Sequence, residues 1–185
     1  MVFAYDTEAT LAFATTLINT SEGASNSRDD ELTDIDVLQR LLDDSGYSGR
    51  RDHDEAELEA VRALRPEFRR FWEVDRDTAV ALVNSILREA NALPQLERHG
   101  DWDWHLHATA ADAPLATRMR VELAMAFVDV IRTDEFDRLR ECAADDCAAV
   151  LVDLSRNRSK RYCDVGNCGN RMNVIAYRAR QGAAG

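Results

Sequence analysis

All four cysteines of the chain fall in its last quarter, as Cys142-x4-Cys147 and, fifteen residues later, Cys163-x4-Cys168. Thiols paired in this way can supply a structural Zn2+ site, where two short loops each give half of a closed tetrahedral shell. The four-residue spacer is longer than the commonest knuckle, so two disulfides remain the alternative. The first residues, Met1 to Asp6, carry no basic stretch, and Arg28 is the first cation. An export signal is therefore not expected, and in the reducing cytoplasm that follows, thiols at this spacing favour zinc.

The residues around the second pair offer further chemistry. A helix opening at Cys168 would turn Met172, Ile175, Ala176 and Ala179 toward the metal core. It would set Asn173, Tyr177 and Arg180 on another side, with Arg171 and Arg178 aligned with each other. Arg and Asn on a helix can contact base edges, and Arg156, Arg158, Lys160 and Arg161 in the preceding polar turn could serve phosphates. The same cations could equally brace the module against Asp145, Asp146 and Asp153. Gly169 is expected to serve backbone shape, and Asn170 to hydrogen-bond the ligand loop as an orienting partner. His105 and His107 would share one face of a strand and, with Asp103, could hold a second metal. Alternation with Trp102 and Trp104 explains their spacing more simply, and His53 and His99 read as surface residues. No G-x-S-x-G, P-loop or H-E-x-x-H pattern occurs, so the sequence calls for no catalysis and the chain reads as a non-enzyme.

Net charge is −11, from 34 acidic and 23 basic residues. It is polarised: residues 156–185 carry +6, leaving −17 on residues 1–155. Nucleic-acid contact must then come from a local arginine patch and not from a broad basic surface. The longest apolar run, Val121 to Ile131, is broken by Glu122 and Asp129, so no membrane span is expected.

The elements that must position these groups are mainly helical. Asp6 or Thr7 would cap a first helix bearing Leu11, Ala14, Leu17 and Ile18. Thr33 with Asp36 reads as a capping box for a second, bearing Leu38, Leu41 and Leu42. Asp52 and Glu55 would open a third, with Leu58, Val61, Leu64, Phe68, Phe71 and Trp72 inward and Pro66 kinking or dividing it. A fourth is expected from about residue 77 to 92. Between Pro94 and Thr109 the alternation of Trp102, Trp104 and Leu106 with charged and histidine residues predicts a short β-hairpin. Pro114 starts a long helix through Ile131. Residues 1–133 then form a helical domain with a hairpin, and 134–185 a zinc module that can pack against it because no flexible linker intervenes.

The run from Asp153 through Ser155, Arg156, Asn157, Arg158, Ser159, Lys160 and Arg161 to Tyr162 and Cys163, followed by Cys168-Gly169-Asn170-Arg171, resembles the CGNR zinc finger. That module ends a bacterial family whose longer N-terminal part is called the ABATE domain and is labelled a stress-induced transcription regulator. Looser echoes are Leu17-Ile18-Asn19-Thr20 and Leu64-Arg65. The chain departs from the family pattern at Tyr162, often Trp, and at Met172, Asn173 and Val174, where basic residues are usual. The resemblance implies Zn2+ on Cys142, Cys147, Cys163 and Cys168, and DNA as partner. It also implies a stress-response regulator whose helical domain senses a small molecule or protein, with Asn19, Thr20 and Arg65 as candidate ligand residues. The alternative is a zinc-stabilised protein-interaction adaptor that does not touch DNA.

Overall fold

The helix Leu115–Arg132 is the hub of the chain, with three other helices packed along it. The computed structural model describes residues 2–99 and 103–182. Among these, the helices are α1 (Tyr5–Ile18), α2 (Ile35–Asp44), α3 (Glu55–Glu73), α4 (Arg76–Glu89), α5 (Leu115–Arg132) and α6 (Cys168–Gly182). Two antiparallel hairpins complete the architecture: β1 (Gln95–Glu97) with β2 (His105–His107), and β3 (Leu139–Glu141) with β4 (Val150–Val152). The fold is mainly α, and α1, α3 and α4 meet α5 around Phe127, whose ring lies 4.1 Å from that of Phe71 and edge-on to Trp72 at 5.8 Å.

The inward residues expected of α3 are all buried, from Leu58 to Trp72. Pro66 neither divides nor ends that helix, which runs through it for 19 residues. The expected caps move by a residue or two. Asp34, Asp54 and Asp75 each accept a hydrogen bond from the backbone N–H three residues on, at 2.9, 2.8 and 2.7 Å, and so satisfy one orphan donor per helix. Thr33 with Asp36 therefore forms no capping box. Neither Asp6 nor Thr7 caps α1: Glu8 Oε1 takes the N–H groups of Val2 and Phe3, while Thr7 is buried and donates to Asp129.

The β1–β2 hairpin forms where alternation placed it, with Leu96 opposite Leu106. Leu96, Trp104 and Leu106 are exposed and His105 is the buried member, so the histidines and not the apolar residues point toward α5. Trp102 lies outside the described residues. The loop after α2 is held by Arg118 of α5, whose buried guanidinium donates to the carbonyls of Ser48, Arg50 and Ala113. Gly49 sits in that loop at φ +88, and a Cβ there would lie 2.5 Å from Arg118 Nη1, so both backbone shape and space require glycine.

The second hairpin crosses the expected boundary at residue 134. Val150 and Val152 are buried in the same core as Phe127. The edge of β4 away from β3 is covered by the Asn19 side chain instead of a third strand. Asn19 Nδ2 donates to the Val150 carbonyl at 2.9 Å and Asn19 Oδ1 accepts the Val150 N–H at 2.8 Å, while Trp72 Nε1 donates to the carbonyl of Leu151, the residue paired with Arg140 of β3, at 2.9 Å. Removing the carboxamide strands two buried backbone groups. Asn19→Ala is expected to lower the unfolding free energy by about 2–4 kcal/mol in urea titration. A loss under about 0.5 kcal/mol, typical of a surface change, would contradict this role.

Candidate metal centre and its basic surface

The β3–β4 hairpin delivers the first cysteine pair. Cys142 follows β3, its N–H bonded to the Ala149 carbonyl at 2.8 Å, and the 142–147 loop closes with Cys147 N–H on the Ala144 carbonyl at 3.0 Å. The second pair is returned by residues 153–162, and Ala143 N–H reaches the Arg161 carbonyl at 2.8 Å. Asp153 organises this return. Fully buried, it accepts from Ser155 N–H and hydroxyl on one oxygen, and on the other from Lys160 N–H at 2.9 Å with Arg140 at 3.3 Å. Burial pushes its carboxyl upward, but those donors outweigh it and hold the group below the usual carboxylate range. From the sequence Asp153 reads only as a brace for nearby arginines, although an Asp two residues before a Ser is a turn-forming signal.

All four sulfurs lie within 4.8 Å of one another, and the Cys147–Cys163 and Cys163–Cys168 separations are both 3.7 Å. Zn–S bonds of about 2.3 Å in a tetrahedron place sulfurs about 3.8 Å apart. The shell fits Zn2+, and at these distances none of the sulfurs is in a disulfide. Cys163 N–H also points at Cys142 Sγ, 3.4 Å away. Burial and neighbouring thiols push Cys147 up to about 12, and burial raises Cys142. At Cys168 burial acts in the same direction, but the Arg171 hydrogen bond and the other thiols bring the group below its ordinary value. Metal binding must therefore expel thiol protons, so affinity rises with pH.

Arg171 spans the shell and its outer wall. Nη2 lies 3.4 Å from Cys168 Sγ, and Nη1 pairs with Asp146, which also pairs with Arg28 from the helical domain. Its positive charge offsets that of a four-thiolate zinc, which carries about two negative charges. Asn170 Nδ2 donates to Asn167 Oδ1 at 2.7 Å, bracing Asn167 at φ +51 just before the helix. Gly169 is not required by space, since a Cβ there meets only the Tyr162 ring at 3.6 Å.

Of the helix residues expected to face the metal, only Met172 packs there. Ile175, Ala176 and Ala179 are exposed, as are Asn173, Tyr177, Arg178 and Arg180, because α6 extends beyond the module after its first turn. Lys160 pairs with Asp164 and Arg158 with Glu135, whereas Arg161 lies over the Tyr162 ring. Among the described residues Arg156, Arg161, Arg178 and Arg180 form no ion pair. The module is tied back to the helices by Arg69 of α3, which donates to the Ala148 carbonyl at 2.6 Å and pairs with Glu141 at 2.8 Å.

Asn19, Thr20 and Arg65 come together in a different setting from the pocket that the resemblance implied. Asn19 is committed to Val150, and Arg65 forms a two-point pair with Asp30, 2.7 Å at each oxygen, and reaches Thr20 Oγ1 at 3.2 Å. They fasten the 20–31 loop and β4. The helical domain's cavity, about 210 Å3, lies elsewhere, between α1, α5 and the β1–β2 hairpin. Its polar wall includes Tyr47, whose hydroxyl donates to half-buried Glu122, with Arg118 beside the Tyr47 ring.

A model of the CGNR zinc finger matches residues 138–181. The ABATE model, described as "Putative stress-induced transcription regulator", matches residues 11–134. The chain belongs to the ABATE family. No curated protein gives a significant match. Within this family member, Arg171 supports the metal instead of standing free. Arg171→Gln should weaken zinc affinity about 10–100-fold and shift zinc loss to higher pH, because Cys168 then binds its proton more tightly. Chelator competition followed across pH measures both; an unchanged release curve would contradict the role. Chelating the metal should leave most helical circular dichroism in place while residues 155–182 become open to protease.

Proposed function

We propose that the chain is a cytoplasmic, non-enzymatic transcription regulator whose zinc module contacts DNA through α6 and whose helical domain binds an effector in the cavity beside Tyr47 and Glu122. The family description supports regulation. The observation that carries the DNA reading is that four cations, Arg156, Arg161, Arg178 and Arg180, stand exposed without ion pairs on one small module, two of them on a projecting helix beside Asn173 and Tyr177. The −17 on residues 1–155 repels the duplex and leaves this module as the approach. Among the described residues no helix is long and apolar enough to cross a membrane.

A second reading has its own support. Val174, Ile175 and Tyr177 are exposed on the same helix, an apolar surface that suits an adaptor docking a protein. Salt separates the two readings. DNA binding through the four free cations should give a slope of log affinity against log salt of about −3 to −4, and Arg178→Ala or Arg180→Ala should each reduce it by about 1 with zinc content unchanged. Fluorescence anisotropy on random duplex measures it. Fully zinc-loaded protein with no affinity at low salt would remove the DNA reading and leave the adaptor.

A further inference from the structure

Three histidines converge: His99, which reads from the sequence as a surface residue, joins His105 and His107, whose shared strand face suggested a second metal with Asp103. The Nε2 atoms of His99, His105 and His107 form a triangle with sides of 3.2, 2.8 and 3.0 Å. His105 is buried and the other two are half-buried. The three rings also line the cavity of the helical domain. Hydrogen bonding among neutral imidazoles needs a donor for every acceptor, yet the outer nitrogens of two of the rings hold their protons elsewhere. His105 Nδ1 is 2.7 Å from the Asp103 carbonyl, an acceptor only, so Nδ1 carries the proton and Nε2 presents a lone pair to the centre. His107 Nδ1 faces the Glu122 carboxylate at 3.9 Å, which favours the same tautomer. A backbone carbonyl or carboxylate behind the ring is the usual support of a metal-binding histidine. Asp103 thus serves through its carbonyl, while its carboxylate lies 3.6 Å from Arg98.

We propose that His99, His105 and His107 bind a divalent first-row transition metal, such as Zn2+, Co2+ or Ni2+, with its remaining coordination positions open to the cavity. Metal–nitrogen bonds of about 2.1 Å put ligand nitrogens about 3.0 Å apart on an octahedral face and about 3.4 Å apart in a tetrahedron, so the measured triangle fits three ligands on one face. Three neutral imidazoles select transition metals over Mg2+ and Ca2+, which prefer oxygen. The site is separate from the four-cysteine shell in ligand type and stands whether or not α6 contacts DNA.

The test is a Co2+ titration of full-length protein already carrying zinc on its cysteines. One further equivalent per chain should bind at micromolar free cobalt. Its weak visible bands should lack the near-ultraviolet sulfur-to-cobalt band, and millimolar Mg2+ should not displace it. His99→Ala, in the loop after β1, and His105→Gln should each abolish this uptake while zinc on the cysteines stays at one equivalent. Cobalt should raise the melting temperature of the unaltered protein and not of either variant, with matching circular dichroism showing that the variants fold. No additional uptake, uptake accompanied by the sulfur band, or uptake retained in both variants would overturn the site.

Discussion

The two hydrogen bonds between the Asn19 carboxamide and the Val150 backbone are the constraint on which the rest of the molecule depends. A two-stranded hairpin is marginal in water, and β3–β4 has only three residues in each strand. It persists because Asn19 closes one edge, Trp72 ties down the Leu151 carbonyl, and its apolar face is sunk among the helices. That hairpin in turn presents Cys142 and holds the loop bearing Cys147. The zinc shell is built on the helical domain, and a defect at the end of α1 would be felt at the metal through a single strand.

Electrostatics follow from this arrangement. A four-thiolate zinc needs nearby positive charge, and Arg171 supplies it while Asp146 holds the guanidinium in place. Arg28 and Arg69 then reach across from the helical domain to Asp146, Glu141 and the Ala148 carbonyl. Part of the basic surplus in the last thirty residues is thus spent inside the molecule. The exposed remainder is smaller than the composition implies and lies in the 156–161 loop and along the far half of α6.

Much of this was legible in the sequence. Cysteine spacing gave the metal ligands because two short paired intervals can each supply half of a tetrahedral shell. Helical periodicity gave the buried face of α3 residue by residue, since burial there is a property of one helix against one core. The misplaced parts depend on partners distant in the chain. Asn19 reads as an ordinary helix end until Val150, 131 residues later, is brought beside it. The hairpin's alternation shows that two faces differ but not which is inside, and the histidines won because Glu122, Tyr47 and Arg118 make that side of α5 polar. Pro66 was tolerated because the core contacts on either side of it outweigh one missing backbone hydrogen bond.

The attachment of α6 has a mechanical consequence. Only its first turn is anchored, through Cys168, Arg171 and Met172, and the helix is 15 residues long. Rising about 1.5 Å per residue, it makes an arm that reaches well past its anchor, and an unsupported helix of this length is only marginally stable in water. Beyond its first turn the arm's residues are exposed, so its order rests on its own backbone hydrogen bonds. Zinc acts as the shoulder joint of this limb: it sets where the arm begins and in which direction it leaves.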